Sequence, residues 1–396
     1  MSLLQPEDSG HLVVAFLLLL AQVPQPAATF DSSTFDPLVR AGIVGGIYPG
    51  AAVVVGRRDT ILFAKGYGHL TWSSGSPVVR VDSTLWDVAS LTKVVATTPA
   101  LMLLIERGLV ALDTPVVRYV PEFNGPGTAA ITVRHLLTHT SGLRATLPLR
   151  EAADSVAALH MVLTTTPISP PGAHMVYSDL NAILLGEIVR RVTGVPLDVF
   201  VTRELYTPLG LDRDMLFRPS KRLESRTAPT GLWHGHPIAA VVNDPSAGML
   251  GGVSGNAGVF ATAHGLARFA QFMLNEGAFG ARRIITVETV RRFVQIAVPA
   301  RRGVSARTLG WEALPTGEET SSAGSLFGPH SYGHTGWTGT SLWIDPDRDL
   351  FVLLLTNRAF SPRTGKSFTK LKQVRGHVAD AAARASDQLV HATPTR

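Results

Sequence analysis

Ser90 and Lys93 stand three residues apart in Asp87-Val88-Ala89-Ser90-Leu91-Thr92-Lys93, at the head of an apolar run that continues through Ile105. A serine hydroxyl is a weak nucleophile at neutral pH and needs a neighbouring group to activate it. A buried lysine with a lowered pKa is one such base. The run from Val94 to Ile105 reads as a buried helix stopped by Gly108, with Ser90 as its N-cap. Helical spacing places Lys93 on the same face as Ser90. The positive end of the helix dipole favours a developing oxyanion at that hydroxyl. A bare helix cap would look the same, so the rest of the chain must supply what acyl transfer on a serine also needs: a second proton carrier, an oxyanion hole and substrate contacts.

Two later stretches offer those parts. In Met175-Val176-Tyr177-Ser178-Asp179 a tyrosine precedes a predicted helix start, where it would project into a cleft. A cation such as Lys93 beside the phenol would favour its ionised form and fit it to shuttle a proton to a leaving group. Gly333-His334-Thr335-Gly336-Trp337 reads as a glycine-rich strand whose backbone can approach a ligand closely. The N–H groups of Ser90 and Trp337 together would form the oxyanion hole. Singly, Tyr177 fits a core aromatic and Gly333 to Gly336 a bulge; jointly, and in this order, the three stretches point to a catalytic site.

The three stretches carry a resemblance. The chain resembles the serine β-lactamase and penicillin-binding-protein superfamily, on its class C and D-alanyl-D-alanine carboxypeptidase branch. Its three signatures, S-x-x-K, Y-x-N and K/H-T-G, stand here as Ser90-Leu91-Thr92-Lys93, Tyr177-Ser178-Asp179 and His334-Thr335-Gly336. The segments from Leu85 to Lys93, from Val133 to Leu143 and from Gly255 to Thr262 are similar to the family as well. The likeness covers roughly residues 30 to 390. It implies an acyl-enzyme on Ser90, with Lys93 and Tyr177 sharing the acid and base roles, His334, Thr335 and Gly336 lining the substrate cleft, and water releasing the product. No cofactor and no metal are implied. Two departures matter. Asp179 occupies a position that is Asn in many relatives; a carboxylate accepts hydrogen bonds but donates none, and it favours protonated Lys93, shifting weight to Tyr177. His334 stands where β-lactamases have Lys, and a partly charged imidazole holds a substrate carboxylate less firmly. Both move the expectation from a dedicated β-lactamase towards a carboxylesterase or D-alanyl peptidase. The alternative is an inactive relative that senses cell-wall peptide.

The elements that must position these residues follow from periodicity. A helix is expected from Phe35 to Ala41. A β-hairpin is expected from Gly50 to Val55 and Thr60 to Ala64, with a loop from Gly66 onward. The chain from Ser90 to about Gly210 reads as mostly helical, including 131–137, 178–192 and 196–206. The region from Pro219 to Asn243 reads as a long loop. Ala263 to Leu274 is an amphipathic helix, Gly339 to Ile344 and Leu350 to Leu355 form a hairpin, and Ser367 to Val390 is a helix on the sheet. The implied fold is α+β: N- and C-terminal strands share an antiparallel sheet flanked by helices, with an inserted, mostly helical unit and the site in the cleft between. The sheet unit is expected over about 29–85 and 245–396, and the helical unit over about 86–244.

The 396 residues are 45% apolar and 17% charged, with a formal net charge of +6 and no cysteine. That is enough apolar material for a sizeable core, and it excludes disulfides, thiolate metal sites and a cysteine nucleophile. The basic residues are dispersed, so no nucleic-acid partner is indicated. A small molecule or a cell-wall peptide is the expected partner. Leu12 to Ala21, followed by Pro24 and Pro26, is too short for a comfortable membrane span and fits the core of a signal peptide over 1–28. The expectation is therefore an exported, periplasmic or secreted protein, with no stable span once the leader is removed. The lack of Lys or Arg before that core leaves an uncleaved tether as the runner-up. His135 and His139, four apart in a predicted helix, are expected to be structural, as is the His234–His236 loop pair. Asp244 and Asn256 fit turn positions or the border of the cleft.

Overall fold

The computed structural model describes residues 30–317 and 321–391. The expected leader over 1–28 lies outside the described residues. Residues of alternating orientation build the centre of the sheet. Strand β1 (Gly50–Gly56) pairs antiparallel with β2 (Ile61–Gly68), which runs past the expected end of the hairpin and takes in Gly66 and Gly68. The remaining strands come from the other end of the chain: β3 (Ala306–Arg307), β4 (Glu312–Ala313), β5 (Tyr332–Thr335), β6 (Ser341–Asp345) and β7 (Leu350–Thr356). β7 pairs with β1, Val53 facing Leu354, so one seven-stranded antiparallel sheet runs in the order β3-β4-β5-β6-β7-β1-β2. The expected α+β architecture is the one observed.

β1 and β7 are apolar throughout because the sheet is covered on both faces. Side chains alternate along a strand, and here both sets are buried. Ala51, Val53, Val55, Leu350, Val352 and Leu354 pack with Phe35, Val39, Leu371, Val378 and Ala382 of the two terminal helices, α1 (Phe35–Val44) and α6 (Ser367–His391). Ala52, Val54, Phe351, Leu353 and Leu355 join the larger core on the other side. Each such aliphatic side chain contributes roughly 1.5–3 kcal/mol when fully withdrawn from water.

That second core is built from the helices α2 (Thr98–Glu106), α3 (Val133–Leu137), α4 (Asp179–Thr193) and α5 (Ala263–Leu274). Thr262 caps α5 through its hydroxyl, which accepts from Gly265 N–H at 3.0 Å. Thr132 and His135 form a reciprocal box at the start of α3. A small three-stranded sheet, with Val259–Ala261 between Trp86–Asp87 and Met215–Phe217, delivers the chain into the Ser90 segment.

Two expectations change. Residues 219–243 are not one long loop. They contain a 3₁₀ stretch (Lys221–Arg226) and a hairpin of three-residue strands, Gly231–Trp233 and His236–Ile238. His234 and Gly235 both have positive φ, 47° and 82°, as a two-residue primed turn requires. Ser90 is also not the cap of a plain α-helix. It sits in a 3₁₀ turn (Ala89–Leu91), followed by a π-helical segment (Lys93–Thr97) before α2 begins.

Candidate active site

The Ser90 turn is held from three sides. Beneath it, the buried carboxylate of Asp87 accepts from the Ala89 N–H at 2.9 Å and from the Asn243 N–H at 2.6 Å. Ala89 adopts φ 48°, an unfavourable left-handed conformation for alanine. The Asp87 bond fixes that residue and thereby sets the direction in which Ser90 projects. From behind, the Gly255–Val259 loop is tied to the turn: Thr97 Oγ1 donates to Gly255 O at 2.7 Å and the Val259 N–H donates to Thr92 Oγ1 at 3.1 Å. From the sheet side, Thr338 Oγ1 donates to Asp87 O at 2.7 Å and Thr340 Oγ1 to Val88 O at 3.0 Å. The loop after β5 is therefore clamped onto the Ser90 turn, and Gly336 lies at the closest approach.

Lys93, 3% exposed, reaches Ser90 as its spacing suggests. Its Nζ donates to Ser90 Oγ at 3.0 Å, to Asp179 Oδ1 at 2.7 Å and to the Asn256 carbonyl at 3.0 Å. An ammonium has three donors and this one has three acceptors. Burial is the largest single influence on its pKa and lowers it, but Tyr177 and Asp179 together outweigh burial and raise it above the ordinary lysine value. The three acceptors around Nζ favour the ammonium, so the geometry supports Lys93 as a cation beside the Ser90 oxygen over a base with a lowered pKa.

Tyr177 enters on the segment before α4, its ring centroid 5.0 Å from Lys93 Nζ. Ser178 does not cap α4; its hydroxyl donates to Arg144 O at 2.5 Å instead. His139 fixes this segment from below. It lies beyond the end of α3 with φ 56°, so it does not share a helical face with His135. Its Nδ1 accepts from the Ser178 N–H at 3.2 Å and faces Asn181 Nδ2 at the same distance, and its ring stacks 4.6 Å from that of Tyr177. Burial holds His139 well below the usual histidine pKa, with Arg307 and Lys93 adding to the fall. His135 has the structural role expected of it, its Nδ1 accepting from the Thr132 N–H at 3.2 Å.

His334 differs from the expectation. It is 3% exposed, and its Nδ1 lies 2.8 Å from the Thr335 carbonyl, to which it donates. Burial first, then Arg307 and Lys93, push its pKa well below the ordinary value. Its ring lies 5.8 Å from the Tyr177 ring, and its burial favours the neutral form, which brings no positive charge to a substrate. A different cation lies nearby. Arg307 on β3, 7% exposed, places its guanidinium carbon 5.4 Å from the Tyr177 ring centroid, and its Nε and Nη1 have no hydrogen-bond partner. Sequence reading missed it, because a two-residue strand carries no periodic signal.

Ser90 opens onto a cavity of about 350 Å³ lined by Ala89, Ser90, Asn243, Asp244, Pro245, Ala257 and Trp337. Neither the Ser90 N–H nor the Trp337 N–H has an acceptor among the described residues. Two free amide donors beside a serine hydroxyl are what a developing oxyanion needs. Thr335 is half-buried at the end of β5, next to this loop. Asp244 does both things foreseen for it: it caps Pro245–Met249 by accepting from the Ala247 N–H at 2.7 Å, and it lines the cavity. Asn256 is buried, and its side chain donates to Asp244 at 3.1 Å.

Asp87 gives this site a pH dependence. Burial pushes its carboxyl up to about 6, against the two amide donors that favour the charged form. A carboxyl whose folded pKa is raised takes up its proton on folding, so this group alone makes the fold more stable as pH falls through 6. The Ser90 turn suffers, because a protonated oxygen facing an N–H cannot accept from it. Turnover is therefore expected to fall below about pH 6 while the unfolding temperature does not fall on this group's account. Asp87→Asn should remove that acid limb and leave a pH-independent rate roughly tenfold lower, since an amide presents one acceptor where two are needed. Stopped-flow or steady-state rates from pH 5 to 8, with thermal melts alongside, check both halves.

A family model described as "Beta-lactamase" matches residues 35–374. A protein of Salmonella agona (strain SL483), named "Putative D-alanyl-D-alanine carboxypeptidase", is 31% identical over 353 residues, covering 80% of this chain and 80% of its own. Among solved structures, EstCE1, described as a hydrolase with promiscuous acyltransferase activity, superposes with a TM-score of 0.71 at 20% identity, over 89% of this chain and 98% of that one. A penicillin-binding-protein homologue from Caulobacter crescentus superposes with a TM-score of 0.71 at 20% identity, over 90% and 99%. At that identity the two structures attest the shared fold.

Proposed function

The chain belongs to the β-lactamase family, whose members are serine hydrolases, and from that premise we propose that it removes the terminal residue from a carboxylate-bearing acyl substrate of the D-alanyl peptide type, through an acyl-enzyme on Ser90. What supports the substrate class is Arg307: its guanidinium lies beside the Tyr177 ring and its buried Nε and Nη1 find no acceptor in the protein, so a substrate carboxylate admitted there would pair with it. The curated relative's name points the same way. The reading as an inactive sensor is not favoured.

In this mechanism Ser90 Oγ attacks the scissile carbonyl carbon. Its proton passes to Tyr177, which enters the cycle as the phenolate beside the Lys93 ammonium and delivers the proton to the leaving amine as the C–N bond breaks. Lys93 stays an ammonium throughout and stabilises the negative charge that develops on Ser90 Oγ, a role its three acceptors suit better than that of a base. The Ser90 and Trp337 amides receive the oxyanion. Tyr177 then takes a proton from the attacking water and returns it to Ser90 Oγ as the acyl C–O bond breaks. The Lys93–Asp179 pair supports a peptidase or esterase over a fast β-lactamase, because Asp179 cannot donate to a substrate carbonyl as an amide would. Asp179, Thr335 and Gly336 border the path of the substrate, while His334 supports the strand from behind. Export of the chain, inferred from the apolar run Leu12 to Ala21, would place it with such cell-wall peptides.

The direct test is intact-mass analysis after exposure to benzylpenicillin and, separately, release of D-alanine from an acyl-D-alanyl-D-alanine peptide. An adduct on the Ser90 peptide with D-alanine release is expected. Ester hydrolysis with neither adduct nor D-alanine release would refute the substrate class. Arg307→Met sharpens the test. It should lower kcat/KM for the peptide by about 10- to 100-fold more than for a neutral p-nitrophenyl ester, the usual worth of a charge-assisted contact. Equal losses on the two substrates would mean that Arg307 only supports Tyr177.

A further inference from the structure

Arg375 is a buried guanidinium that the mechanism above does not use. It projects from α6 and is 4% exposed. Its hydrogen-bond partners among the described residues are backbone carbonyls, with no carboxylate in contact. Its Nη2 donates to the Gly336 carbonyl at 3.1 Å and to the Thr340 carbonyl at 2.7 Å, and its Nε has no partner. Burial first, and Arg358 second, pull its pKa below the ordinary guanidinium value. A cation placed in the interior with no carboxylate in contact, and only the longer-range attraction of Glu312, opposes folding, and satisfying two carbonyls does not call for a full charge.

What sets these carbonyls apart is the peptide they belong to. The Gly336 C=O and the Trp337 N–H are the two ends of one planar peptide unit. A cation drawing on the oxygen makes the N–H a stronger donor, and the effect is larger where the dielectric is low. The second lone pair of that oxygen is taken by the Gly339 N–H at 3.1 Å. The next peptide is fixed too, because the Trp337 carbonyl accepts from Arg358 Nε at 3.2 Å and also from its Nη2. Guanidinium groups thus grip the carbonyls on both sides of the Trp337 Cα, and the N–H between them is left free beside Ser90.

We propose that Arg375 is a positioning residue for the oxyanion hole: it orients and polarises the Gly336–Trp337 peptide so that the Trp337 N–H meets the charge developing on the substrate. This rests on the Ser90–Trp337 reading of the hole. It adds a residue from the far helix that touches no substrate atom.

The test uses the full chain with Arg375→Met and Arg375→Lys. It reads the infrared carbonyl stretch of the trapped acyl-enzyme, the affinity for a boronic acid that forms a tetrahedral adduct on Ser90, and kcat against KM. For Arg375→Met, kcat and boronate affinity should both fall by about 10- to 100-fold, less than the roughly 10²–10³ for losing an oxyanion donor outright. KM should hold within about twofold, the mark of an interaction made only in the transition state. The acyl carbonyl stretch should move to higher frequency as its hydrogen bond weakens. Arg375→Lys should restore part of each, since a single ammonium keeps the charge but not the two-carbonyl grip. If Arg375→Met does not fold, the Lys variant carries the test, and an unchanged stretch in it overturns the proposal. Folded variants with wild-type boronate affinity and stretch overturn it as well. A wild-type acyl-enzyme whose carbonyl shows no lowering against a model ester in water would mean that the hole itself is misassigned, a failure distinct from that of Arg375 alone.

Discussion

Ser90→Ala is expected to abolish the acyl-enzyme and to lower kcat by at least about 10⁴-fold, with any residue of activity owed to binding and the oxyanion donors. The fold should survive, because Ser90 caps no helix and its hydroxyl's one side-chain hydrogen bond among the described residues is with Lys93. Lys93→Met should cost nearly as much. It removes the only cation that reaches the Ser90 oxygen at hydrogen-bond distance among the described residues, and it leaves the Asp179 carboxylate without its closest partner. Because the two act as a unit, the double variant should be scarcely slower than either single one. Intact-mass trapping with a slow substrate separates the steps: no adduct is expected in Ser90→Ala, and a slowly formed one in Lys93→Met. Near-normal turnover in Lys93→Met would remove the cation from the mechanism and leave Tyr177 to act on Ser90 unaided.

The parts of this site that share a local signal could be read from the chain. Ser90 and Lys93 are three apart and meet whatever the helix type. The continuous apolar runs of Gly50 to Val55 and Leu350 to Leu355 marked the central strands, and the turn residues at Asp345 to Asp349 marked the connection between Leu350 to Leu355 and the strand before it. What could not be read depends on long-range contacts. The π-helical turn after Lys93 has no mark in Val94-Val95-Ala96; it goes with the bonds from Lys93 to Asn256 and from Thr97 to Gly255, made 163 and 158 residues away. His334 looks like any cleft histidine until β4 and β6 enclose it. Arg307 stands in a two-residue strand and Arg375 among the polar positions of an amphipathic helix, and nothing in either neighbourhood says that the guanidinium is buried. The Pro219 to Asn243 region failed for a simpler reason. Strands of three residues are too short to show alternation, and the turn pair His234-Gly235 is not among the Asn-Gly or Asp-Gly dipeptides that mark a hairpin in a sequence.

Gly336→Ala is expected to cut kcat by about 10²- to 10³-fold while leaving a folded protein, because it acts on the joint where the three distant segments meet. Gly336 does not have a positive φ, so the cost is steric. A β-carbon there would fall inside van der Waals contact with Thr340 Oγ1 and with the Val88 carbonyl oxygen, the two atoms that bond to each other across the joint. Neither can withdraw cheaply: Val88 O belongs to the backbone just before the Ser90 turn, and Thr340 lies at the start of β6, its carbonyl held by Arg375. The added methyl must therefore open the gap between the β5–β6 connection and the Ser90 turn. Overpacking of this kind costs roughly 1–3 kcal/mol of stability, which the sheet can absorb. The rate cannot absorb it, since the Trp337 N–H moves away from the oxygen of the carbonyl that Ser90 attacks. Gly365→Ala is the control, an exposed glycine where a β-carbon meets nothing within 4 Å. Kinetics and thermal melts on the pair should show a large loss of kcat with a modest drop in melting temperature for the first and no change in either for the second. A Gly336→Ala enzyme with wild-type kcat would mean that the strand through Thr335 does not set the geometry at Ser90.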